Sequence, residues 1–192
     1  MLRKAWKIVL AVVLALLVVV LGYVAYVFID YHRIGDQELT VERNAAATVE
    51  AGKEYGILSY NIGFGAYEDD YSFFMDGGKE SRARSRQAVD ENMRGEVSLV
   101  KDLSPDFALF QEVDIYGTRS WHIAEDAYLD DVMGNSEFNK VFAQNYDSPY
   151  LFYPLINPHG ANQSGILTLS RHPISSAVRR SLPIETGIMK LV

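Results

Sequence analysis

The sequence predicts an α/β layered fold carried behind a single transmembrane helix. Three observations support this. Ile8 to Ile29 is a run of 22 residues without a charge. Further on, an apolar strand pattern, a helical pattern and a second strand pattern follow one another with short turns between them, the order of an α/β unit. Two of the strand-like runs, Leu58-Ser59-Tyr60-Asn61-Ile62 and Phe107-Ala108-Leu109-Phe110-Gln111-Glu112-Val113-Asp114, each contain a polar residue able to hold a hard metal ion.

The charge-free run is rich in Val, Leu, Ala and Ile. At about 1.5 Å per residue it is long enough for a hydrocarbon core of about 30 Å. Arg3, Lys4 and Lys7 flank its near end, and Tyr23, Tyr26 and Phe28 gather at its far end, where an interfacial aromatic belt belongs. The positive-inside rule then places the N-terminus in the cytoplasm and the domain outside a cell membrane crossed once. The competing reading is a cleaved signal peptide. The run exceeds the usual signal core of about 7–15 residues, and no Ala-x-Ala site follows it directly. An uncleaved anchor over residues 1–29 is therefore expected.

Residues 30–54 are polar and mixed and read as a stalk or an edge strand. Residues 55–192 read as the folded α/β domain. Tyr55 to Ile62 is the first strand, followed by a glycine-punctuated turn at Gly63-Phe64-Gly65 and the acidic loop Glu68-Asp69-Asp70. Ala88, Val89, Met93, Val97 and Val100 fall at helical spacing, so a helix is expected from near Ser81 to about Leu103, ended by Ser104-Pro105. Phe107–Val113 is the next strand. A second helical period covers 121–133. Shorter strands are expected at 141–143, 150–155, 164–170 and 187–192.

Composition narrows the function. Hydrophobic residues make up 48% of the 192, enough for a packed core. The net charge is −7, and residues 1–29 hold three cations and no acid, leaving −10 for the remainder. Such an acidic domain repels duplex nucleic acid at long range. It does not exclude phosphate chemistry, because a bound divalent cation reverses the local sign. The absence of cysteine excludes disulfides, thiolate metal sites and thiol nucleophiles.

Asn61 offers a carbonyl oxygen and Glu112 a carboxylate, ligands suited to Mg²⁺ or Mn²⁺. If their strands are neighbours, both groups emerge at one mouth of a sheet. Arg119 and His159 are candidate substrate contacts. For Arg119 the alternative is an ion pair with Asp114. For His159, in Asn157-Pro158-His159-Gly160, it is a surface-loop histidine. Asn61 also has a turn-forming reading before Gly63.

In order and spacing, the blocks Ile57–Ile62, Pro105–Asp114 and Ser164–Ile174 resemble the endonuclease/exonuclease/phosphatase superfamily. That group contains deoxyribonuclease-like nucleases, neutral sphingomyelinases and inositol-phosphate phosphatases. Gly117-Thr118-Arg119-Ser120 resembles the bacterial branch with an N-terminal membrane segment. The resemblance implies a two-sheet α/β sandwich with flanking helices, Glu112 as metal ligand beside Asn61, and a phosphodiester or phosphomonoester substrate. A lipid headgroup is favoured over duplex nucleic acid. It also implies later strands with Asn-x-His, Asp-x-Asn and Asp-His pairs. The sequence has no Asp-His pair, and none of its histidines sits in such a later-strand context, so an N-terminal part of a longer enzyme, inactive alone, is expected. A non-catalytic surface binding module is the alternative, or a secreted nuclease if the anchor is cleaved.

Overall fold

The computed structural model describes residues 2–31, 33–43, 48–133 and 137–183. It is an α/β structure of three helices and two sheets. In chain order the elements are α1 (Leu2–Asp30), β1 (Gln37–Glu38), β2 (Ile57–Asn61), α2 (Arg86–Leu103), β3 (Phe107–Gly117), α3 (Glu125–Val132), β4 (Asn139–Asp147), β5 (Asn162–Ser170) and β6 (Val178–Arg179). The expected strand at 187–192 lies outside the described residues.

The main sheet runs β2-β3-β5-β4. β2 and β3 are parallel, with Ile57 opposite Phe107 and Asn61 opposite Gln111. The other two pairings are antiparallel. A parallel pair needs a crossover, and α2 supplies it. Its buried residues Val89, Met93, Val97 and Val100 recur at helical spacing and pack on the sheet beside Phe64, Phe110, Leu167 and Leu169. Each such side chain contributes about 1.5–3 kcal/mol by leaving water, an upper value because the unfolded chain is already partly collapsed.

α2 begins at Arg86, five residues later than the pattern suggested. The Ser85 hydroxyl accepts from the Ala88 amide as its N-cap. Ser81 instead turns its hydroxyl to the Asn157 carbonyl and belongs to a loop. At the other end Ser104 takes a left-handed conformation (φ 44°) before Pro105. The second helix is shorter than expected, 125–132 rather than 121–133, because Trp121 and His122 sit at positive φ in a turn. β4 is longer than expected, whereas 150–155 is a loop with one isolated bridge, Leu151 to Gly160. Among the described residues of 30–54 the only strand is β1, paired with β6, and Glu42 bridges to Lys140 on the β4 edge.

α1 is long and apolar enough to cross a membrane, by length and composition. Its C-terminal end touches the domain. The Tyr23 hydroxyl donates to the Tyr150 carbonyl (3.2 Å) and accepts from the Phe152 amide (3.0 Å), and the Tyr26 hydroxyl accepts from the Tyr150 amide (2.9 Å).

Candidate active site at the β2–β3 mouth

The parallel register sets the site. Asn61 is the last residue of β2, and Glu112 lies one residue beyond its partner Gln111 on β3. The β3–β5 ladder shifts between Phe110 and Val113, so Glu112 occupies a bulge. Its φ is 56°, a left-handed conformation that is uncommon and costly outside glycine and asparagine. Bulges of this kind re-aim a side chain. Here the Glu112 carboxylate is brought to the Asn61 side chain, whose Nδ2 donates to Glu112 Oε1 at 2.8 Å.

The amide orientation of Asn61 is fixed by its other partner. The Gly63 N–H is a donor and needs an oxygen, which Asn61 Oδ1 supplies at 2.9 Å. Asn61 therefore presents nitrogen to Glu112. It closes the turn after β2 and holds the carboxylate, rather than pointing its own oxygen at the same space. The turn itself demands glycine. Gly63, Phe64 and Gly65 have φ of 53°, 45° and 62° in succession. A Cβ on Gly63 would lie 2.4 Å from the Tyr67 ring, and one on Gly65 would lie 2.8 Å from Val89 Cγ1. Asn92 on α2 pins the turn through the Gly65 carbonyl at 2.9 Å. Sequence reasoning missed Asn92. Its only signal is a polar residue beside Met93 on an otherwise apolar stripe.

Glu112 is half-buried, and among the described residues its second oxygen has no protein partner. A hard cation such as Mg²⁺ uses one or two carboxylates and completes its shell with water and substrate oxygens. One oriented carboxylate with a free oxygen fits that requirement in part. Among the described residues no group of three or more Asp, Glu or His gathers to make a full protein cage.

Arg119 and His159 are both placed beneath the surface. The Arg119 guanidinium pairs with fully buried Asp114 (2.7 Å) and lies 4.1 Å from the Phe64 ring centre. Ser120 also donates to Asp114 (2.8 Å), and the Arg119 amide donates to Asn162 Oδ1 (3.0 Å). The alternative foreseen for Arg119, an ion pair with Asp114, is the geometry found. Beside this pair, burial and then the Asp114 charge hold the Glu125 carboxyl well above the usual carboxylate range, while its Oε2 accepts from the Asp114 amide.

His159 is neither a surface-loop histidine nor an overhanging one. It is 1% exposed, and its Nδ1 meets the Ser81 carbonyl at 2.8 Å. Phe73 and Phe74 flank the ring. Burial pulls its pKa down to about 4, so it is neutral and ties the 81 loop to the 159 loop.

The acidic loop does not collect as a cation site: Asp70 pairs with Arg84 at 2.8 Å. No curated protein and no solved structure matches the chain. The sequence model of the Endonuclease/Exonuclease/phosphatase family matches residues 58–189, which span both site strands and the core strand β5. That match covers well over half of the chain, and with the strand order and the Asn61–Glu112 corner already in place, the chain belongs to the endonuclease/exonuclease/phosphatase family.

Proposed function

We propose that this protein is a membrane-anchored, divalent-cation-dependent phosphohydrolase acting on a phosphodiester or phosphomonoester, with Mg²⁺ or Mn²⁺ held at Glu112. The family match supports hydrolysis of phosphate esters. The single observation that carries the site is the 2.8 Å contact from Asn61 to a carboxylate on a left-handed bulge. Strain of this kind persists where the surrounding structure enforces it, and it clusters at functional positions.

In this reading Glu112 is the protein ligand and Asn61 is its positioning residue. The bound cation would supply charge neutralisation at a phosphoryl oxygen. The amide nitrogen of Asn61 keeps one Glu112 oxygen directed and leaves the other for the ion. Being neutral, Asn61 adds no repulsion toward a phosphate. The acidic remainder of the domain disfavours duplex nucleic acid and leaves a small phosphate ester or lipid headgroup as the preferred class.

A second reading, a cation-binding module without turnover, is favoured by one observation. Among the described residues no histidine stands beside Glu112 to act as a base: His159 is engaged with Ser81, and His122 stacks on Tyr116 at 4.5 Å. The chain alone is therefore expected to bind Mn²⁺ and to hydrolyse little.

Electron paramagnetic resonance of Mn²⁺ with the full chain in detergent tests the site. Glu112→Gln should abolish the bound signal, and Asn61→Ala should weaken it about 10–100-fold, as loss of an orienting partner does. Equal Mn²⁺ binding by the parent chain and Glu112→Gln would end the metal reading. Metal-dependent hydrolysis of a nitrophenyl phosphodiester by the chain alone would instead end the second reading.

A further inference from the structure

The loop between β4 and β5 carries an unusual surface. Phe152, Tyr153, Leu155 and Ile156 are 54%, 68%, 88% and 84% exposed. From Ser148 to Ser170 the sequence has no Lys, Arg, Asp or Glu, although the domain as a whole is strongly acidic. Large apolar side chains grouped in this way mark a docking surface rather than ordinary exposure.

Its place in the fold identifies what it meets. The loop backbone is bonded at Tyr150 and Phe152 to the hydroxyls of Tyr23 and Tyr26 on α1. The Tyr23 ring contacts the Phe152 ring edge-on at 5.4 Å. Tyr23 and Tyr26 stand at the outer end of the apolar run, the level at which aromatic residues sit in a bilayer interface. The loop is therefore held at that level, with its apolar side chains where headgroups give way to acyl chains.

We propose that residues 150–156 form a second membrane contact, a loop that inserts its apolar side chains into the outer interface of the bilayer in which α1 is anchored. This rests on the anchored reading above. The occupant is lipid because the loop is fixed to the anchor at interfacial depth and carries no charge that a protein partner could pair. A shallow insertion of about 5–10 Å is the depth such apolar surfaces reach.

The contact is also linked to the site. Tyr153 meets Phe74 at 5.7 Å, Phe74 meets His159 at 5.6 Å, His159 meets Phe73 at 5.7 Å, and Phe73 meets Phe64 at 5.8 Å. Phe64 lies in the turn that follows Asn61. The same loop receives the Ser81 hydroxyl and the Arg82 guanidinium at Asn157. Packed rings thus run from the lipid-facing loop to the β2–β3 mouth and link the membrane contact to the candidate site.

The chain has no cysteine, so single spin labels can be placed cleanly. The full chain is reconstituted in phosphatidylcholine vesicles with a label at Leu155→Cys, at Val12→Cys in the anchor, or at Asp102→Cys, exposed in the last turn of α2. Accessibility is read against oxygen, which partitions into lipid, and a nickel chelate, which stays in water. The expected result is that positions 155 and 12 lose nickel collisions and gain oxygen collisions, whereas 102 keeps its nickel collisions. A lipid-buried label at 12 with a water-exposed label at 155 overturns the loop contact alone. Water exposure at both 12 and 155 overturns the anchored reading and the loop contact together. A label at 155 shielded from both reagents shows protein packing instead of lipid and overturns the proposal.

Discussion

Glu112 shows how one residue can be set against local preference. A left-handed backbone costs an ordinary residue about 1–2 kcal/mol, and asparagine is among the side chains that tolerate it. Glu112→Asn is therefore expected to stabilise the chain by about 1 kcal/mol in urea unfolding, while Mn²⁺ binding is lost. A variant that is both less stable and metal-free would mean the bulge is not strained. Asn61 is the complementary case, because both halves of its amide are committed, to Gly63 and to Glu112. That dual use was half-visible in the sequence, where the metal-ligand and turn-forming readings of Asn61 competed. The structure combines a turn role with support of the carboxylate. The burial of His159 could not be read in advance, because its partner Ser81 lies 78 residues away and only the fold brings them together.

Elements differ in how openly the sequence announces them. β2, β3 and β5 were legible as apolar runs, and α2 as a stripe. The start of α2 was not, because Ser81 and Ser85 are both plausible caps and the choice depends on Asn157, a tertiary partner. Ser85→Ala should cost about 1 kcal/mol by losing the bond to the Ala88 amide, measurable by thermal unfolding. Ser81→Ala should leave helix content unchanged. The 150–155 segment has the aromatic composition of a strand yet forms a loop, because its backbone groups are taken by Tyr23, Tyr26 and Gly160. The turn at Gly63 is the most constrained link between element and site. Gly63→Ala should destabilise by more than about 1 kcal/mol, since the new Cβ meets both a positive φ and the Tyr67 ring. Mn²⁺ affinity should fall with it, because the Asn61 turn is the support of Glu112.

At the scale of the molecule, two buried groups give stability opposite pH dependences. Burial pushes the Glu96 carboxyl from 4.5 up to about 8. The folded state then holds a proton that the unfolded state has released, so stability present below 4.5 is lost as pH rises toward 8. Glu96→Gln should flatten this fall. The gap between variant and parent should widen by up to about 1.4 kcal/mol per pH unit in that window. His159 works the other way. Its pKa drops from 6.5 to about 4, so its contribution is present above 6.5 and lost as pH falls through 4. His159→Asn should weaken the fold at neutral pH through loss of packing, yet remove the acid-side slope. Denaturation of the full chain in detergent across pH 4 to 8 resolves both, and parallel curves for parent and Glu96→Gln would contradict the buried carboxyl.

Asn61 and Glu112 are separated by 51 positions in the chain, and among the described residues β2 meets the sheet through β3 alone. Closing so long a segment costs entropy before the pairing repays it. The corner that would grip an ion joins a short outer strand to the body of the sheet. Subglobal opening can part it by peeling that five-residue strand from β3. A ligand bound there would act as a clasp, adding its own binding free energy to the cost of that opening.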